Sequence, residues 1–318
     1  MAEVKLATTI APNQRSYAVR VVTPILHQES SPSPDVNNVF MYLPHESSDI
    51  KKAFDEQGFV VIADQVSTFA NRQALKKTML AVSGVPNALK AGFLELSTDD
   101  TLAQLRQDTM MYKVFANLFG TDNLWSVFDR TIYHSGTGEP ELMNPHVDQS
   151  PIAHPGFGGV QGMLAIEAMN ETTGTLAVIP TSHAWFGTYA HWAKGTEQFI
   201  ENQSPKLPPF TALCVPAGAL IIWDSRLTHS RYWGTMDPLS RNPRFAALIT
   251  YMPAPDPLDP KTKDLVAARR DCFLSGISKN NHEAGLRATA SPRCEVSLRQ
   301  TPERLTPLGV RLYGIRSW

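Results

Sequence analysis

The chain has 318 residues, 42% of them hydrophobic and 19% charged, with a formal net charge of −1 and a pI near 6.8. These are globular values that exclude wholesale disorder, and the lack of a basic stripe speaks against a nucleic-acid partner. There is no apolar run of about 18 residues, so no transmembrane helix is expected, and Met1–Pro12 is too weakly apolar for a secretory leader.

Residues 1–49 read as an N-terminal arm, with turn formers dense over 28–40. Ser47-Ser48-Asp49 has N-cap character and leads into a helix over Ile50–Gln57 that Gly58 ends. Phe59–Ile62 follows as a short β run. Thr68–Val82 and Thr101–Leu118 carry apolar residues at helical spacing, so 50–123 is mainly helical.

From Leu124 to about residue 255 the texture changes. Short β-rich runs alternate with turns: Trp125–Tyr133, Val160–Ala168, Thr175–Ile179, Leu213–Val215, Ala219–Trp223 and Phe245–Met252. Helical texture over Trp185–Asn202 reads as an insertion between strands. After Pro253-Ala254-Pro255 come a helix over Thr262–Arg270 and an irregular basic extension within 256–318. With no repeat and no clean linker, one domain over 1–318 is expected: mainly β with flanking helices around a jelly-roll, cupin-like core. Cys214, Cys272 and Cys294 match no metal or redox spacing, which predicts free thiols in a reducing, cytoplasmic setting.

The sharpest local feature is Asn144-Pro145-His146-Val147-Asp148-Gln149. On a strand, residues i and i+2 share a face, so His146 and Asp148 present an imidazole and a carboxylate to one point. His229, beyond the apolar run Ala219–Trp223, is the natural third ligand. Two imidazoles and one carboxylate on one face of an octahedron leave three positions open, the pattern of non-haem Fe(II) oxygenases. The bland alternative is a hydrogen-bonded core histidine with an incidental neighbouring acid.

Arg244 opens the run Arg244–Tyr251, where alternation puts it with Ala246, Leu248 and Thr250. Its planar fork suits the distal carboxylate of a dicarboxylate co-substrate, an ordinary surface arginine being the other reading. Arg241, in the turn Ser240-Arg241-Asn242-Pro243, is expected to be solvated. Gln161 and Met163 share a strand face, where Gln161 either contacts co-substrate or substrate or faces outward. Arg130 either reaches an anionic substrate group or pairs with Asp129 or Glu139. Gln149, beside Asp148, is a further substrate-contact candidate, and Trp223 is assigned to the core.

In this order, His146-x-Asp148, the segment Gly174-Thr175-Leu176-Ala177-Val178-Ile179-Pro180-Thr181-Ser182-His183, His229 and Arg244 resemble the phytanoyl-CoA dioxygenase-like family of Fe(II)/2-oxoglutarate-dependent oxygenases. The resemblance covers roughly 50–255 and implies a double-stranded β-helix. It also implies iron held by His146, Asp148 and His229, and 2-oxoglutarate held by Arg244. Pro-Thr-Ser-His departs from the family's usual Pro-Gly-Ser-His, and His183 is taken as a turn residue. The implied reaction consumes O2 and converts 2-oxoglutarate to succinate and CO2 while a small organic substrate is oxidised. Retention of Asp148 favours hydroxylation, with desaturation and cyclisation open. Two rival classes are a cupin-type metal enzyme without 2-oxoglutarate and a non-catalytic module on the same fold. No membrane partner is expected, and the oligomeric state is left open, a homodimer being one option.

Overall fold

A computed structural model describes residues 17–18, 20–22, 40–63, 66–85, 89–90, 92–137, 145–152, 154–191, 207–235, 237–256, 258–275 and 305–318. Its first strands are β1 (Tyr17–Ala18), β2 (Arg20–Val22), β3 (Phe40–Tyr42) and β4 (Phe59–Ile62), with helix α1 (Ser47–Gln57) between the last two. Helix α2 (Phe69–Ser83), the hairpin β5 (Leu89–Lys90) and β6 (Phe93–Leu94), and helices α3 (Asp100–Arg106) and α4 (Thr109–Phe119) follow. The β-rich part comprises β7 (Leu124–Ser126), β8 (Thr131–His134), β9 (Val160–Ala165), β10 (Thr175–Val178), β11 (Thr211–Cys214), β12 (Leu220–Asp224), β13 (His229–Tyr232), β14 (Arg244–Leu248) and β15 (Tyr251–Pro253). Helices α5 (Pro260–Ser275) and α6 (Pro307–Leu312) complete the described chain.

The strands form two sheets. The larger runs β1-β3-β4-β12-β9-β14-β8-β6-β5, with β15 joining β9 and β7; the smaller runs β13-β10-β11-β2. Alternation decides what each face of the large sheet buries. Val160, Leu164, Ile166, Phe245, Ala247 and Ile249 pack with residues of α1 to α4, such as Phe54, Leu75, Met79 and Phe115. Met163, Ala165, Ala246, Leu248, Ile221 and Trp223 pack instead with Leu176, Val178 and Leu213 of the small sheet. The space between the sheets is therefore lined by every second residue of β9, β14, β12 and β10. Gly162 has no room for a side chain: a Cβ there would stand 2.5 Å from the Ile249 carbonyl and 2.8 Å from the Phe115 ring. This lets α4 lie directly against β9.

Several boundaries differ from the sequence expectation. The periodic stretch Thr101–Leu118 is two helices, because Asp108 turns its side chain to the Met110 amide as an N-cap and restarts the chain. Trp125–Tyr133 divides into β7 and β8, and Phe245–Met252 into β14 and β15, each at a bend where the strand changes partners. The N-terminal arm contributes three short strands, β1 and β3 to the large sheet and β2 to the small one. Within the turn-rich stretch, 28–39 lies outside the described residues, while Phe40 belongs to β3. The helical texture at 185–202 begins as a 3-10 helix over Ser182–His191, and the rest of it lies outside the described residues. Cys214 is a buried thiol in no disulfide; Cys294 and the side chain of Cys272 lie outside the described residues. Among the described residues, no helix is long and apolar enough to cross a membrane.

Candidate metal centre

His229 opens β13, and opposite it stands His146, joined by a single antiparallel bridge rather than a full strand. The two residues exchange backbone hydrogen bonds of 3.1 and 3.0 Å, and the Asp148 amide donates to the Ser225 carbonyl at 2.9 Å. These three bonds fix the extended stretch 146–148 against the 225–229 turn. His146, Asp148 and His229 thereby offer one ligand atom each within 4.8 Å of one another. Asp148 and His229 are each 4% exposed, whereas the His146 side chain keeps 28%, so His146 forms the accessible edge.

The turn before His229 is braced from several sides. Arg226 grips Asp224 with two nitrogens, Nε at 2.9 Å from Oδ1 and Nη2 at 2.6 Å from Oδ2. Ser182 Oγ accepts from the Thr228 amide at 2.8 Å, and the Tyr189 hydroxyl meets the Thr228 hydroxyl at 2.6 Å. The Pro-Thr-Ser-His segment thus scaffolds the His229 strand. His183 points elsewhere, with Nε2 3.0 Å from the Asp55 carbonyl. Thr181 adopts φ 66°, in the left-handed region that suits glycine, which accounts for a glycine being usual at that place.

The His229 tautomer follows from its neighbours. Nδ1 lies 2.9 Å from the Leu227 carbonyl, which can only accept, so Nδ1 carries a proton and Nε2 is the ring atom turned to the centre. Nε2 stands 3.0 Å from Asp148 Oδ2. Either a proton or a metal ion between the two accounts for so close an approach. Donors at right angles on an ion with bonds of about 2.1 Å stand about 3 Å apart, so the pair fits a first-row metal. His146 Nε2 stands 3.7 Å from the other carboxylate oxygen. The donor set of two imidazoles and one carboxylate suits Fe(II).

Gln161 is turned to this centre. Its amide donates to Asp148 Oδ2 at 2.5 Å, with both side chains buried. Its amide nitrogen is therefore engaged with a metal-ligand candidate, a partner that sequence alternation did not suggest. Trp223 is buried in the core, its ring 5.6 Å from that of His229, and forms a wall of the site. Gln149 is buried, and its amide nitrogen donates to the His154 and Gly156 carbonyls, clamping the following loop. The Arg130 guanidinium lies 4.0 Å over the Phe93 ring, with Nε 3.9 Å from Asp129 Oδ1. The approach to Asp129 is longer than a hydrogen bond, and Glu139 lies outside the described residues.

Arg244 is 4% exposed on the Ala246/Leu248 face of β14, inside the space between the sheets. Nη2 reaches the Met163 sulfur at 3.2 Å and Nη1 the Thr175 carbonyl at 3.4 Å, while Nε has no partner among the described residues. Burial, then the nearby Arg231, pull its guanidinium down to about 9. A desolvated cation with only weak neutral acceptors is a site for an anion. Arg241 is half-buried rather than solvated as its turn position suggested: its Nε and Nη2 are buried, and Gly136 lies against the 241–242 backbone. Sequence reasoning did not single out His134, Arg231, Ser182 or Tyr189. Only Ser182 stood in a recognised segment.

A profile of the phytanoyl-CoA dioxygenase (PhyH) family matches residues 54–230. No curated protein matches the sequence. Among solved structures, the epimerase SnoN with Fe3+, alpha-ketoglutarate and nogalamycin RO is 16% identical, with 66% of this chain and 85% of that chain covered and a TM-score of 0.50. HygX from Streptomyces hygroscopicus, with nickel, 2-oxoglutarate and hygromycin B, is 13% identical over 64% of this chain and 86% of that one, with a TM-score of 0.46. EctD from S. alaskensis with bound Fe is 20% identical over 74% and 84%, with a TM-score of 0.48. At 16% identity the likeness to SnoN is one of fold.

Proposed function

Because this chain belongs to the phytanoyl-CoA dioxygenase family of Fe(II)/2-oxoglutarate-dependent oxygenases, we propose that it hydroxylates a small organic substrate, with His146, Asp148 and His229 as the iron ligands. The observation that carries the assignment is the convergence of His146, Asp148 and His229, which offer one ligand atom each within 4.8 Å of one another. Bound there, Fe(II) supplies the oxidative decarboxylation of 2-oxoglutarate to succinate and CO2 and the oxidation of substrate.

The chain's own residues bind, orient and keep water out. Gln161 holds the Asp148 carboxylate in one orientation. Leu227 fixes the His229 ring and its tautomer. Arg244, buried beside Met163, receives the distal carboxylate of 2-oxoglutarate in its planar fork. Trp223 and the cluster of Val147, Phe186 and Tyr189 exclude water around the ligands. Arg130, over Phe93, remains the residue proposed to meet an anionic substrate group. A cupin-type enzyme without 2-oxoglutarate would leave the buried Arg244 with no anion, so the co-substrate reading is preferred.

The test is substrate-free turnover. Purified protein with Fe(II), O2 and 2-oxoglutarate should release succinate slowly, and His229→Ala should abolish that release together with stoichiometric metal binding. Normal iron content and succinate formation in His229→Ala would refute the ligand assignment.

A further inference from the structure

The two arms of the metal centre share a back side. His146 and His229 face each other across an antiparallel bridge, so one residue along that register Val147 stands opposite Thr228. Alternation points both away from the side that carries the ligands. Both meet one stretch, the 3-10 helix Ser182–His191 and the residues just before it. Val147 is 1% exposed and shares a buried cluster with Phe186 and Tyr189. Thr228 is held at its amide, carbonyl and hydroxyl alike. The amide donates to Ser182 Oγ at 2.8 Å, the carbonyl accepts from the Ile179 amide at 2.9 Å, and the hydroxyl meets that of Tyr189 at 2.6 Å.

Tyr189 takes part on both sides, with its ring in the Val147 cluster and its hydroxyl on Thr228. It is 4% exposed, and its ring is flanked by Phe186, edge-on with 6.5 Å between centroids, and by Trp185 at 5.9 Å. Packing of this kind locks a rotamer and fixes where its polar end lies. That matters here because the His146 arm is no full strand, and metal ligands must be held to within about 0.5 Å.

Resting on the assignment of His146, Asp148 and His229 as ligands, we propose that Tyr189 is a positioning residue of the metal centre and sets the separation of its two arms from behind. The ring seats Val147, and with it the His146–Asp148 arm. The hydroxyl seats Thr228, and with it His229. One side chain thereby couples ligands that arrive from two distant parts of the sequence.

The experiment uses Co(II) as the probe, titrated into the full-length protein without 2-oxoglutarate and followed by dye competition and by the visible bands of the bound ion. Tyr189→Phe keeps the ring and removes its hydroxyl, Thr228→Val removes the partner at nearly constant shape, and the double variant removes both. Each single variant should weaken Co(II) binding by roughly three- to tenfold, the range of one neutral hydrogen bond, and shift the bands. The double variant should lose no more than either single one, because the same bond is lost. Tyr189→Leu, which also vacates the place of the ring, should lose more than Tyr189→Phe. A purely structural bond would lower the thermal midpoint of the metal-free protein and leave Co(II) affinity and bands as in wild type, and that result overturns the proposal. Additive losses in the double variant would overturn it as well, since the two hydroxyls would then act separately. Where Tyr189→Phe fails to fold, Thr228→Val carries the same comparison. Loss of Co(II) binding in His229→Ala beside wild-type binding in Tyr189→Phe removes the proposal alone. Wild-type binding in His229→Ala removes the ligand assignment, and the proposal with it.

Discussion

Replacing Gln161 with leucine removes the side-chain donor that holds Asp148 while keeping a side chain of similar bulk at a position only 2% exposed. A hydrogen bond to a charged group is worth about 1.5–3 kcal/mol net. At 1.4 kcal/mol per decade, that corresponds to roughly 10- to 100-fold in binding, the range seen when partners of metal ligands are removed. Asp148 would keep its backbone tie to Ser225 and its place beside His229, so the carboxylate should rotate rather than leave. Metal affinity is therefore expected to fall by one to two decades without loss of fold. Competition with a chelating dye under anaerobic conditions measures the affinity, and Co(II) substitution reports the ligand field through its visible spectrum. Thermal unfolding of the metal-free variant checks that the chain is folded. A folded Gln161→Leu with wild-type affinity and an unchanged Co(II) spectrum would refute the argument, because the orientation of Asp148 would then be set elsewhere.

Thr181 is the only non-glycine with positive φ among the described residues, and a left-handed conformation costs an L-residue about 1–2 kcal/mol. Thr181→Gly recovers that strain against about 0.5–1 kcal/mol of added chain entropy, so urea unfolding should show a gain of roughly 0.5–1 kcal/mol; a loss would mean the threonine side chain makes a compensating contact. His134 gives a pH dependence. Its folded value of about 4 lies below the ordinary 6.5, so between those pH values the unfolded chain takes up a proton that the folded one refuses. The contribution to stability is complete above pH 6.5 and is lost as pH falls towards 4, by on the order of 2–3 kcal/mol in the protein without 2-oxoglutarate. Unfolding at pH 7 and pH 5 should show a steeper decline in wild type than in His134→Asn, and identical slopes would contradict it.

The sequence already carried the fold class, since short apolar runs such as 160–166 and 219–223 and the turns between them are local patterns. His146 and Asp148 were legible for the same reason: a two-residue spacing suffices to place two side chains on one side of an extended chain. Where one long pattern covered two elements, as at 101–118, the local N-cap of Asp108 outweighed apolar periodicity. What only the tertiary structure decided is which partner each inward side chain meets. Alternation puts Gln161 on one face with Met163 without saying which way that face turns, and the bridge between His146 and His229 brings Asp148 to its amide. A turn proline makes Arg241 read as solvated, yet a loop 105 residues earlier (241 − 136) lies against its backbone and two of its guanidinium nitrogens are buried. Strand period fixes the face a residue points to; desolvation and pairing depend on what the other sheet and the loops bring to that face.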